Sequence, residues 1–174
     1  GSVLDRLRAV GQDPDDWIII YTTDHGELLG EHGIWEKQKF FEASARVPLI
    51  IRYPKHFAPR VVHENVNLCD LFATLTDLAG IPLPAEVDTV LGRGLDSRSL
   101  VPLMRGETAG WSDETVSQFR GTNLMIKRGG LKYQFYGNDD CRTQPEVLFD
   151  LATEPDERRN LITEPSYADA VARF

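Results

Sequence analysis

The run Trp17-Ile18-Ile19-Ile20-Tyr21-Thr22 constrains this chain more than any other segment. β-Branched and aromatic residues follow one another there without polar alternation, the pattern of a strand covered on both faces, as in a parallel sheet. Before it, Val3, Leu4, Leu7 and Val10 form the apolar stripe of a helix, ended by Gly11 and a turn at Asp13-Pro14-Asp15-Asp16. The chain enters abruptly on that stripe and reads as a piece of something longer. A helix feeding a buried strand is the unit of an α/β domain.

Residues 46–54, with prolines marking the ends, predict a second strand, expected as a parallel neighbour of the first in one sheet. Leu68, Leu71, Phe72, Leu75, Leu78 and Ala79 then recur at helical spacing, with Asn67 as a cap and Gly80 and Pro82 as the stop. Their apolar stripe is expected to pack on the sheet. Residues 82–110 are rich in turns, with one short helical stretch near 99–104. Beyond them the texture becomes antiparallel β: strands at 115–119, 123–127, 131–136 and 147–151, with Arg128-Gly129-Gly130 as a hairpin turn and a terminal helix over 167–174. The expected organisation is an α/β unit over 1–110 and a small antiparallel α+β subdomain over 111–174.

A chain of 174 residues can bury a real core, and 41% hydrophobic with 26% charged residues is ordinary for a globular domain. No apolar run approaches the roughly 20 residues that cross a bilayer, so no membrane partner is expected. The net charge of −8, without any Lys/Arg cluster, also argues against nucleic acid. Cys69 and Cys141 make no disulfide framework and no CxxC zinc pattern, which leaves a cytoplasmic or a periplasmic setting open. Cys69 lies in a helical pattern and is expected to be buried and inert.

Chemistry is expected where the first strand ends, at Thr23-Asp24-His25-Gly26, because open α/β sheets bind ligands at the carboxyl ends of strands. A carboxylate there suits a hard divalent cation, and the adjacent imidazole widens the choice toward manganese or zinc. Adjacent strand residues face opposite ways, so Asp24 and His25 reach one ion only if the strand stops before them. The following loop carries three glycines and a central lysine, Lys37, able to meet an anion held by the metal. On its own Asp-His-Gly is a short string, and an Asp at a strand end often only caps a turn.

The larger block decides more. Asp-His-Gly-Glu-Leu-Leu-Gly-Glu-His-Gly-Ile-Trp-Glu-Lys over 24–37 and Phe-Phe-Glu-Ala-Ser-Ala-Arg-Val-Pro-Leu over 40–49 resemble the sulfatase family of the alkaline-phosphatase superfamily, nearest to its choline-sulfatase-like and bacterial arylsulfatase-like members. Residues 125–133 resemble that family's hairpin. Leu148-Phe149-Asp150-Leu151, Glu154-Pro155-Asp156-Glu157 and Asn160-Leu161 resemble its C-terminal pattern, with Glu154 where Asp is usual.

The resemblance implies an α/β fold, the C-terminal part of an alkaline-phosphatase-like sheet domain followed by the antiparallel subdomain. It implies Asp24 and His25 as metal ligands, for calcium first and manganese second, and Lys37 as the group that grips sulfate. The implied substrate is a small sulfate ester. The family's formylglycine forms within Cys/Ser-x-Pro-x-Arg, and neither Cys69 nor Cys141 stands in that pattern. Nucleophile, early paired aspartates and leaving-group acid are thus expected in an N-terminal part of the same protein, and this chain alone is expected to be inactive. A phosphonate monoester or phosphodiester hydrolase of the same superfamily, and a non-catalytic C-terminal module, are the alternatives. Among further residues, Glu42 and Arg46 are expected to pair beneath the site, His32 to pack in its loop, and two of Trp35, Phe40 and Phe41 to join the core.

Overall fold

A computed structural model describes residues 1–82, 96–137 and 146–174. Helix α1 spans Ser2–Ala9. A tight turn at Pro14–Asp16, capped by the Asp13 carboxylate, leads into β1, Ile19–Thr22. A long loop with a 3-10 turn at Glu31–Gly33 and the single-turn helix α2 (Glu42–Ala45) returns the chain to β2, Leu49–Arg52. Helices α3 (Asp70–Leu78) and α4 (Val101–Arg105) follow. Four strands come next: β3 (Glu114–Phe119), β4 (Asn123–Arg128), β5 (Leu131–Tyr136) and β6 (Glu146–Asp150). The described chain ends on α5, Ala168–Val171. Among the described residues helix and sheet mix as expected of an α/β protein, in two sheets of two and four strands. Among the described residues no helix is long and apolar enough to cross a membrane.

β1 and β2 are neighbours in one sheet, but they are antiparallel, Ile19 opposite Arg52 and Thr22 opposite Leu49. A parallel neighbour needs a crossover that carries the chain back to the start of the first strand. Here the connecting loop stays at the end it left. The other end is tied by charge: Arg52 donates to the Pro14 carbonyl at 2.8 Å and pairs with Asp15, and Lys55 pairs with Asp16.

Burial also corrects the sequence reading. Tyr21 is 63% and Ile50 58% exposed, so within this chain β1 is not covered on both faces. α3 turns Asp70, Ala73 and Thr74 inward and leaves Phe72 and Leu75 about half exposed, so its apolar stripe does not pack on the sheet. Asn67 accepts from the Cys69 N–H and Asp70 accepts from the Asn67 N–H, a reciprocal cap of the α3 entry. Cys69 falls outside the buried face of α3 and is an exposed free thiol, not a buried one. Cys141 lies outside the described residues.

The four-stranded sheet is a simple meander, β3-β4-β5-β6, antiparallel throughout. Gly129-Gly130 closes the β4–β5 hairpin, with Gly129 at φ 53°. A small core of Phe40, Met125 and Tyr136, flanked by Phe119 and Val147, lies under this sheet. β5 buries Lys132, Gln134 and Tyr136, a polar inner face. Each finds a partner in the loop that precedes β2. Tyr136 accepts from the Phe40 N–H at 3.2 Å and donates to Gln134 at 2.6 Å, while the Gln134 amide donates to the Phe40 carbonyl at 3.3 Å. Buried polar groups satisfied in this way fix geometry more sharply than apolar contact. The meander is thus a socket for the loop that carries the candidate site.

Candidate functional site

β1 stops at Thr22, before the chemistry begins. Asp24 and His25 fall in a bend, and both side chains turn to one point, with His25 Nε2 3.2 Å from Asp24 Oδ2. His25 Nδ1 lies 2.7 Å from the Gly26 carbonyl oxygen. A bond there requires the proton on Nδ1, which leaves Nε2 as a lone pair in the neutral ring. The Lys37 ammonium sits directly on that Nε2. Sequence separates Lys37 from His25 by a whole loop, and the structure brings all three candidate residues together.

The convergence depends on a close crossing of two backbone segments. The Gly26 N–H donates to the Ser44 carbonyl at 2.8 Å, and a Cβ on residue 26 would overlap the Ala43 carbonyl oxygen. Only glycine fits there. Ser44, 4% exposed, also donates its hydroxyl to the Lys37 carbonyl at 2.5 Å. One serine thus pins both the Asp24–His25 bend and the backbone of Lys37. Sequence reasoning passed over Ser44 as a letter in a pattern, and its position just past a required glycine contact was not visible there.

The surroundings follow. Burial of the Asp24 carboxyl acts to raise its pKa, but the N–H groups of Asp24 and His25 and the Thr23 hydroxyl outweigh this and hold it below its ordinary value. His32 stacks on Phe41 at 3.8 Å and so packs in its loop as expected. Phe40 is core, Phe41 lies between His32 and Phe149, and Trp35 is 70% exposed. Glu42 does not pair with Arg46. Its ion pairs are with Lys132 at 2.8 Å and Lys127 at 3.7 Å, and Arg46 acts only as a more distant charge. A groove of about 1560 Å³ runs along the site, lined among others by Asp24, His25, Lys37, Arg46 and Lys127.

Would these residues hold a metal? An Asp24 oxygen and an imidazole lone pair at 3.2 Å repel unless a positive charge lies beside them, and Lys37 now supplies it. The donor set therefore suits a divalent cation as part of a shell. It does not close one: among the described residues no group of three or more His, Cys, Asp and Glu side chains could hold a metal.

Comparison with known proteins identifies the fold around this site. Residues 30–174 match the family model described as N-sulphoglucosamine sulphohydrolase, C-terminal. The chain belongs to this sulfatase family. It is 38% identical over 168 residues to choline-sulfatase of Rhizobium meliloti (strain 1021), covering 95% of the chain and 30% of that protein. It is 37% identical over 161 residues to arylsulfatase K of Rattus norvegicus, covering 84% of the chain and 26% of the relative. The sulfatase chain thus spans under a third of the length of these relatives. Among solved structures it is similar to the phosphonate monoester hydrolase of Agrobacterium radiobacter, with a TM-score of 0.77 and 30% identity over 99% of this chain and 36% of that one. It is also similar to BT4656 in complex with its substrate D-glucosamine-2-N,6-O-disulfate, with a TM-score of 0.76 and 26% identity over 99% and 35% of the two chains.

Proposed function

We propose that this chain is the C-terminal portion of a sulfatase that hydrolyses small sulfate esters, and that it supplies Lys37, Asp24 and His25 to an active site completed by an upstream segment. The observation that carries the reading is the convergence of these three side chains past the end of β1. Asp24 and His25 would hold a divalent metal, calcium in the first place and manganese as the alternative. Bound there, the ion would neutralise charge on the ester and help activate the nucleophile. Lys37 presents three donors and a fixed charge, suited to a tetrahedral oxyanion. The formylglycine nucleophile belongs to the upstream segment in this reading, since no Cys/Ser-x-Pro-x-Arg occurs in the 174 residues.

Similarity to a phosphonate monoester hydrolase supports a second reading, in which the same site takes phosphonate or phosphodiester substrates. Turnover of an aryl sulfate and an aryl phosphonate by the longer protein separates them. The sulfatase reading expects higher kcat/KM for the sulfate, and the reverse order would favour the second. The 174-residue chain alone should turn over neither. Robust, metal-dependent hydrolysis by material of the correct intact mass would contradict the division of labour.

A further inference from the structure

Lys132 lies on β5, far along the chain from the site, and its side chain is wholly buried. Its ammonium meets two carboxylates, Glu42 at 2.8 Å and Glu157 at 2.9 Å. Glu157 is itself 3% exposed, and its other oxygen accepts the Glu42 N–H at 2.6 Å. Glu157 adopts a left-handed backbone, φ 53°, unusual for a non-glycine residue and held only where the surroundings enforce it. With Lys127 at 3.7 Å from Glu42, two ammonium groups balance two carboxylates.

Apolar residues of similar volume would stabilise such a place as well or better, so the ions are not explained by stability. What they do is fix one geometry, because a displaced partner leaves a buried charge unpaired. Glu42 opens α2, whose Ser44 donates to the Lys37 carbonyl and accepts from the Gly26 N–H. A continuous path of short contacts therefore runs from Lys132 through Glu42 and Ser44 to both parts of the site.

We propose that Lys132, with Glu42 and Glu157, is a positioning device: the C-terminal sheet sets where the Lys37 ammonium stands. The mechanical part needs only this chain, while its consequence for turnover rests on the sulfatase reading. Lys132→Met leaves two buried carboxylates facing each other, and the loop must move to hydrate them. Glu157→Gln keeps the shape and removes one charge, a gentler variant for the case in which Lys132→Met does not fold.

Amide hydrogen exchange on the 174-residue chain tests the mechanical part. In either folded variant the amides of Glu42, Ser44 and Arg46 should exchange faster than in the unaltered chain, on the order of 100-fold for Lys132→Met. Those pairing β4 with β5 should keep their rates. A uniform acceleration over the whole chain, or none in the loop, would overturn the proposal. Turnover by the longer enzyme tests the consequence as a cycle. Lys132→Met should lower kcat in the native background and add little in a Lys37→Ala background. An equal loss in both backgrounds would mean that Lys132 does not act through Lys37. If Lys37→Ala alone leaves turnover unchanged, the sulfatase reading of Lys37 fails, and the exchange result still decides the fastening.

Discussion

The absence of one carbon atom at residue 26 allows the Asp24–His25 bend to lie against α2. Gly26→Ala would drive a methyl group into the Ala43 carbonyl, which is backbone and cannot swing aside. The variant should lose about 3 kcal/mol of stability in urea unfolding, near the upper end for overpacking. A loss below about 0.5 kcal/mol would show that the crossing is loose. At this scale the sequence revealed Asp24, His25 and Lys37 as candidates, because a carboxylate, an imidazole and a lysine cluster at a strand end in a recognisable string. It hid Lys132. In Leu131-Lys132-Tyr133-Gln134-Phe135-Tyr136 an apolar-inward rule would bury residues 131, 133 and 135, whereas 132, 134 and 136 are the buried set. The inversion comes from what lies beneath: a loop offering peptide groups and a glutamate.

The meander was legible as elements, since its hairpin turn and strand alternation are local signals. The relation of β1 to β2 was not, because it depends on the path of the long loop between them. α2 itself is too short to leave a periodic signal, yet it joins the site to the sheet. Its first residue gives it a pH dependence. Burial would raise the Glu42 pKa, but Lys132, with Lys127 and Arg46, outweighs this and holds it below its ordinary value. A depressed carboxyl pKa stabilises the fold above the unfolded value and loses that contribution as pH falls through the folded one. The stability gap between the native chain and Glu42→Gln should therefore be widest near neutral pH and shrink as pH falls through and below the ordinary carboxylate range. Denaturant titrations of both proteins across that range check it. A gap that grows on acidification would mean that the ammonium groups do not control Glu42.

Over the whole molecule, large apolar side chains remain exposed along residues 1–82, among them Trp17, Tyr21, Ile50, Phe72 and Leu75. Sequence patterning reads Trp17, Tyr21, Phe72 and Leu75 as covered, and in the reading proposed above an upstream segment would cover them. The same division governs metal affinity. With two protein donors a hard cation keeps most of its water, so calorimetry on this chain should find no calcium binding tighter than about 100 μM. A micromolar site abolished by Asp24→Ala would show that these two ligands dominate.

If Lys37 grips the ester as proposed, turnover of an aryl sulfate by the longer enzyme should fail in Lys37→Ala. Losing a donor aimed at charge developing in the transition state typically costs on the order of 100-fold to 1,000-fold in kcat. Lys37→Arg should recover only part, because its charge is spread over a larger fork. Lys39, two residues on, holds its ammonium 4.6 Å over the Tyr136 ring and serves as the control. The kcat of Lys37→Ala should collapse while that of Lys39→Ala stays near the native rate. Native turnover in Lys37→Ala, with the loss falling on Lys39→Ala instead, would contradict the proposed role of Lys37.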